Sequence, residues 1–220
     1  MKEIFPRVFL QNRKLYTVNL VKDSKVYGEK LIQYKGMQLR EWDPFRSKLG
    51  AAILKGIKLL PIQPKSVVLY LGAAEGTTPS HVADIVGEEG VVFCIDNAPR
   101  VMPKLMKVAE IRENMLPILA DANHPEEYAE YCKDFDINVV YMDVAQPNQA
   151  EIMVKNAKKY LKKGAFGLLA LKARSVDSTK PPAQIFKETK QILEKTFKVI
   201  QVIDLEPYEK DHVMFVLEKK

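Results

Sequence analysis

The chain of 220 residues carries only two cysteines, Cys94 and Cys132, three histidines and one tryptophan. Two cysteines cannot build a disulfide framework or a four-ligand metal site. Cys94, inside an apolar run, reads as a small buried hydrophobe, and a reducing, intracellular setting is expected. Apolar runs such as Ala165–Leu171 are far too short to span a bilayer. The opening Met1-Lys2-Glu3-Ile4-Phe5-Pro6-Arg7 mixes charge with proline and has no apolar core, so no signal peptide is expected and the placement is cytoplasmic. Arg/Gly-rich and Ser-rich segments, internal repeats and low-complexity stretches are all missing. Any basic surface must therefore be presented by folded elements.

What is present is the balance of a globular protein, 47% hydrophobic and 28% charged, with a net charge of +6 that favours an acidic partner. Nucleic acid is the commonest such partner, although lysine-rich surfaces also mark proteins adapted to heat. Residues 1–45 hold short β-type runs at Val8–Leu10, Leu15–Leu20 and Leu31–Tyr34 between polar turns, the pattern of a small antiparallel β unit. Residues 46–220 form the second unit. A helix fits Arg46–Leu60, closed by Pro61. Buried-type strands then alternate with helices: strands at Val67–Leu71, Val91–Ile95, Leu116–Leu119, Val139–Met142 and Phe166–Leu171, helices at Thr78–Val86, Val101–Ile111, Pro125–Tyr131, Gln149–Leu161 and Ala183–Phe197. Such alternation predicts a parallel sheet covered on both faces. The last two strands, Val199–Leu205 and Val213–Leu217, have only the polar turn Glu206–His212 between them and must pair antiparallel. The expected class is α/β: a Rossmann-like methyltransferase fold with a seven-stranded mixed sheet. A nicotinamide-dependent oxidoreductase would not normally end on such a pair.

The first strand of this unit runs into Gly72-Ala73-Ala74-Glu75-Gly76-Thr77-Thr78. A glycine-rich strand-to-helix turn lets backbone approach a ligand and offers free amides to it. The G-x-x-x-G spacing leaves less room for a diphosphate than G-x-G-x-x-G does, and suits the amino and carboxylate groups of a methionine moiety. Many α/β turns contain a glycine pair, so the turn alone decides little. Asp96 closes the second strand about 20 residues on, where an acid meets ribose hydroxyls. Asp121-Ala122 follows the third strand and Asp143 closes the fourth. Each acid alone could be no more than the cap of the next helix. Three at consecutive strand ends, with the glycine turn, point to S-adenosylmethionine.

Several segments resemble the fibrillarin family of RNA 2′-O-methyltransferases in box C/D ribonucleoproteins. They are Tyr70-Leu71-Gly72 with Gly76-Thr77-Thr78, Ala98-Pro99-Arg100, Asp121-Ala122, Asp143-Val144-Ala145-Gln146-Pro147, Lys172-Ala173-Arg174-Ser175, Asp211-His212, and Arg46–Ala52 ahead of the turn. The resemblance covers most of the chain, in the form typical of archaea. Glu75, where a small residue is usual, and Asn97, where an aromatic is usual, depart from the pattern. The resemblance implies a cofactor site of Gly72, Ala73, Ala74, Gly76, Thr77, Thr78, Asp96, Asn97, Asp121, Ala122, Asp143 and Gln146.

It also implies a catalytic set of Lys48, Asp143, Lys172 and His212. Methyl transfer to a ribose hydroxyl needs that hydroxyl positioned and relieved of its proton. Lys172 at a strand end is assigned to that task and Asp143 to orienting it, with Lys48 and His212 holding the nucleotide. Arg100, Lys104, Lys107, Arg174 and Lys180 are expected to meet RNA. Neither an aromatic ladder nor an RNA-reading module is evident, so the resemblance implies that target choice rests with a guide RNA, held by a Nop-type scaffold protein and a kink-turn-binding protein. The competing readings are a methyltransferase for protein or small molecules, for which the chain lacks a lid-sized insertion, and a catalytically silent RNA-binding scaffold.

Overall fold

The computed structural model describes residues 1–220. Its first 42 residues form an antiparallel sheet of five strands: β1 (Lys2–Phe5), β2 (Val8–Gln11), β3 (Lys14–Val18), β4 (Leu31–Tyr34) and β5 (Met37–Trp42), in the order β1-β2-β3-β5-β4. Positive φ at Asn12 and Arg13 is the twist a two-residue hairpin demands. The apolar runs of the sequence mark three of these strands and leave β1 and β5 unmarked. In β5 the cause is Arg40, an arginine at a core-facing position with no exposed surface, which breaks the apolar signal.

The second sheet has seven strands, β6 (Val67–Leu71), β7 (Val91–Asp96), β8 (Met115–Leu119), β9 (Val139–Met142), β10 (Phe166–Lys172), β11 (Phe197–Asp204) and β12 (His212–Lys219), ordered β11-β12-β10-β9-β6-β7-β8. The five strands from β10 to β8 pair in parallel, while β12 runs antiparallel between β10 and β11. The helices are α1 (Lys48–Leu54), α2 (Thr77–Val86), α3 (Met102–Ala109), α4 (Ala129–Cys132), α5 (Gln149–Tyr160), α6 (Ala173–Val176) and α7 (Pro182–Leu193). No helix is long and apolar enough to cross a membrane.

Strand alternation divides the core into two layers. Tyr70, Cys94, Tyr141, Ala170 and Met214 face α1, α2, α3 and the N-terminal sheet, whose Val8, Leu15 and Trp42 join the same cluster. Leu71, Ile95, Met142, Leu171 and Phe215 face α5 and α7. Pro117 sits in β8, the edge strand, where its missing N–H costs least.

The helix expected over Arg46–Leu60 is a 3-10 turn at Pro44–Arg46 followed by α1, which stops at Leu54. Gly56 adopts φ +90, and the Gly56 and Ile57 amides return to the carbonyls of Ile53 and Ala52. That closure ends a helix in the left-handed conformation. The Pro125–Tyr131 helix shrinks to α4, because turns occupy its first half. His212, placed in a turn by sequence, is the first residue of β12.

A buried charge network docks the N-terminal sheet on α2. Arg40 donates to Glu29 and Asp84 at 2.7 Å and to Ser80 Oγ at 3.1 Å. Thr17 Oγ1 donates to Asp84 at 3.0 Å and lies 2.8 Å from His81 Nδ1, while Tyr27 lies 2.8 Å from His81 Nε2. Trp42 stacks on the His81 ring at 4.8 Å. Removing one member strands the others: Asp84→Ala should cost about 3–5 kcal/mol in denaturant unfolding. Burial, reinforced by Arg40 and Arg112, holds the His81 pKa well below its ordinary 6.5. The unfolded chain therefore binds a proton that the folded chain refuses as the pH falls through 6.5. Stability should decline from neutral pH toward pH ~5 by up to about 1.4 kcal/mol per pH unit from this group. A flatter profile in His81→Gln would confirm the source.

Candidate active site

The turn after β6 is fixed by backbone contacts. Gly72 has φ +84, and a β-carbon on it would lie 2.2 Å from the Asp143 carbonyl oxygen. Only glycine lets the ends of β6 and β9 come this close. The Gly72 and Ala73 amides bond to the Ile95 carbonyl at 2.9 and 3.1 Å, and Ala74, at φ +47, donates its amide to Asp96 Oδ2 at 2.8 Å. Asp96 Oδ1 accepts from the Ala98 amide at 2.9 Å. The acid thus shapes the turn, and its remaining lone pairs are left for a ligand. α2 starts behind Gly76 with no side chain capping it, so its first amides stay open.

These elements border a cavity of about 260 Å³. Of the expected cofactor residues, Gly72, Ala74, Asp96, Asn97, Ala122, Asp143 and Gln146 line it. Ile95, Ala120, Val144 and Ala145, which the sequence reading passed over, line it too. The others stand behind. Ala73 is buried, and Gly76 packs against Leu105 of α3. Thr77 opens α2 and borders a different cleft, while Thr78 donates its hydroxyl to Ser47 at 3.0 Å. Asp121 accepts from the amide and side chain of Asn123 at 2.9 and 3.1 Å. Burial pushes its pKa up, but bonds from Asn123 and Gln146 and the nearby His124 prevail and hold it below the ordinary value. Asn123 also donates to Gln146, so Asp121 braces the loop that supplies Gln146. Glu75 turns away from the cavity and pairs with Lys104 at 2.7 Å, which removes the conflict its charge posed.

Alternation places the expected catalytic side chains together. Asp143 follows Tyr141 by two residues, Lys172 follows Ala170 by two, and His212 precedes Met214 by two; all three partners face the α1 side. Lys172 and His212 are direct partners across β10 and β12. α1 brings Lys48, whose ammonium lies 2.9 Å from Asp143 Oδ2. Burial lowers the Lys48 pKa, yet the charge and hydrogen bond of Asp143, helped by Glu209, outweigh it and leave the group above its ordinary value. Ser47 caps α1 through the Gly50 amide at 3.2 Å, and its contact with Thr78 ties α1 to the glycine turn.

One assignment needs correcting. Asp143 orients Lys48, not Lys172. In the parallel register Leu169 is opposite Met142, so Ala170 falls beside Asp143 and Lys172 lies beyond it. Lys172 is exposed and is held through its backbone instead. The fully buried Gln149 accepts from the Lys172 amide at 3.1 Å and donates to its carbonyl at 3.2 Å and to the Gln146 carbonyl at 2.9 Å. No pattern in the sequence marks this glutamine. His212 Nδ1 lies 2.6 Å from the Lys210 carbonyl. A carbonyl can only accept, so Nδ1 carries a proton and donates this bond.

Of the residues expected to meet RNA, Arg100 and Lys107 are exposed. Lys104 is paired with Glu75, and Lys180 with Glu188 at 2.9 Å. Arg174 bonds to Asp211 and to the Ser178 carbonyl, each at 3.0 Å, so it braces the residue preceding His212. Gln149→Ala should leave the Lys172 amide and carbonyl unpaired. The expected cost is about 1–3 kcal/mol, with faster hydrogen exchange at the Lys172 amide as the local signature.

The family model described as Fibrillarin matches residues 1–220. The fibrillarin-like rRNA/tRNA 2′-O-methyltransferase of Methanocaldococcus jannaschii is 52% identical over 98% of this chain and 95% of its own length. A fibrillarin/Nop5p complex superposes with a TM-score of 0.89 at 38% identity, covering 100% of both chains. Aeropyrum pernix fibrillarin with natively bound S-adenosyl-L-methionine superposes at 0.85, with 42% identity over 93% of this chain and 88% of that one. With the model matched end to end and a relative at this identity along its whole length, the chain belongs to the fibrillarin family.

Proposed function

We propose that this protein transfers the methyl group of S-adenosyl-L-methionine to ribose 2′-hydroxyls of rRNA and tRNA, as the catalytic subunit of a box C/D particle directed by guide RNA. One observation carries the reading: Asp143 lines the cleft and at the same time holds Lys48 at 2.9 Å. The end of the cleft and the cationic rim meet at one carboxylate.

The cleft fits that cofactor. The close approach at Gly72 draws the turn in tightly against the end of β9, and Asp96 keeps lone pairs for hydroxyl groups. Ile95, Ala120, Ala122 and Val144 give apolar walls for a base. Bound there, the cofactor supplies an activated methyl on a sulfonium. The chain must then hold a hydroxyl in line with it, stabilise the oxygen as its proton leaves, and exclude water. Lys48, kept charged by Asp143, is a fixed cation for the substrate nucleotide. Lys172 has no carboxylate partner within the chain and is the group free to orient the hydroxyl or take its proton. His212 meets the substrate through Nε2.

The bound S-adenosyl-L-methionine of the Aeropyrum pernix relative and the rRNA/tRNA methyltransferase name of the Methanocaldococcus relative support this reading. The fibrillarin/Nop5p complex supports a Nop-type scaffold as partner; a guide RNA and a kink-turn-binding protein complete the proposed particle, and its place is the cytoplasm. The division into residues 1–45 and 46–220 is organisational in this reading, since Val8, Leu15 and Trp42 share a core with β6 and β9.

Tritiated methyl transfer to a guide–target RNA duplex, with and without the partner proteins, tests the proposal. Lys172→Ala should lower the transfer rate about 10²–10⁴-fold and leave cofactor binding intact. Equal loss of both would make Lys172 structural, and no transfer to any RNA in the assembled particle would sink the reading.

A further inference from the structure

Two segments flank the catalytic cluster: the turn Pro44–Arg46 just ahead of Lys48, and the loop from Leu205 to Asp211 just ahead of His212. Phe45 and Tyr208 meet across them edge to face, with centroids 5.1 Å apart and planes at 64°. Phe45 is 64% exposed, more than any other large apolar side chain of the protein.

The ring is exposed yet firmly mounted. Pro44 opens the turn and Asp43 accepts the Phe45 amide at 2.9 Å. The Tyr208 amide donates to the Leu205 carbonyl at 2.9 Å, and Lys55 donates to the Glu206 carbonyl at 2.6 Å. A large apolar face kept in water forgoes burial. Charge supplies the second argument. Arg46, the next residue, lies over the Tyr27 ring and borders a cleft of about 420 Å³ lined by Lys25, Lys104 and Lys107. The one carboxylate on that lining, Glu75, is already paired with Lys104. A polyanion is the complementary ligand, and Phe45 is joined to that cleft by Arg46, two residues ahead of Lys48.

We propose that Phe45, backed by Tyr208, is the platform for the nucleoside adjacent to the target ribose, and that the phosphate chain continues over Arg46 into the basic cleft. The inference rests on RNA being the substrate. In A-form RNA the riboses and their 2′-hydroxyls line a wide, shallow groove, so a ring at the rim packs on the ribose of the neighbouring nucleoside while its base stays paired. Contact with a sugar face reads no base, as a subunit that leaves target choice to a guide requires.

The test uses the full chain assembled with guide RNA and partner proteins. Phe45→Ala and Phe45→Leu should each raise KM for target RNA about 5-fold or more, leaving kcat and cofactor affinity near those of the parent. Phe45→Tyr and Phe45→Trp should restore KM, and hydroxyl-radical footprinting should show the ribose beside the target nucleotide protected by the parent and by Phe45→Trp but not by Phe45→Ala. Parental KM in Phe45→Leu would reduce the ring to packing on Tyr208 and overturn the proposal. Parental KM in Phe45→Ala would do the same, as would failed assembly with unchanged RNA affinity, which assigns the ring to a protein interface. If the parent chain transfers methyl to RNA while Phe45→Ala matches it, this inference alone fails; if the parent transfers to no RNA, the functional reading and this inference fall together.

Discussion

A side chain on a β-strand faces one side of its sheet, and the next residue faces the other. That two-residue period gathers the chemistry of this chain. Tyr141, Ala170 and Met214 are core residues on the α1 side, so Asp143, Lys172 and His212, each two residues away, come to the same side at the sheet's end. A slip of one residue in β10 would send Lys172 toward α5 and α7 while leaving β10 as apolar as before. Such a slip is opposed by both layers of core at once, because Leu168 and Leu169 belong to opposite clusters. The register that protects the hydrophobic core is the register that assembles the site.

The N-terminal sheet contributes to the same end from a distance. Its Arg40, Thr17, Tyr27 and Trp42 grip Ser80, His81 and Asp84 of α2, and α2 begins at the glycine turn. Burying ion pairs is an expensive way to join two surfaces, since apolar residues of the same volume often do as well. What the charges add is direction. Asp84 accepts from Thr17, Arg40 and the Leu20 amide, and a small rotation of α2 would break all three. Trp42 extends the linkage to α1, where Gly50 leaves just enough room for the indole. The helix that starts the cofactor turn and the helix that brings Lys48 are therefore referenced to one small sheet.

Much of this was written in patterns a sequence reveals. Continuous apolar strands, a glycine turn after the first of them and acids at three strand ends were enough to locate the cleft. They were legible because backbone geometry and strand period are local. The misses share a different origin. β5 was hidden because Arg40 is buried by partners from distant segments, Glu29 and Asp84. The direction of Glu75 depends on Lys104, one helix away. Gln149 holds Lys172 by hydrogen bonds that no periodicity announces. Even the short α1 had a local sign in Gly56, outweighed by the apolar positions that continue past it to Leu60.

The choice Asp143 makes between two lysines sets the division of labour. In the parallel register Asp143 has Ala170 beside it, and Lys172 starts two residues, about 6.6 Å, farther along the strand. Lys48 arrives from above on α1 and takes the carboxylate at 2.9 Å. A lysine whose charge is fixed by a carboxylate serves as a cation and is poorly suited to accept a proton. Lys172 is the opposite case: its backbone is clamped by Gln149 while its ammonium has no internal counter-charge. Two lysines that look alike in the sequence are separated into one paired with a carboxylate and one without such a partner by a single register position.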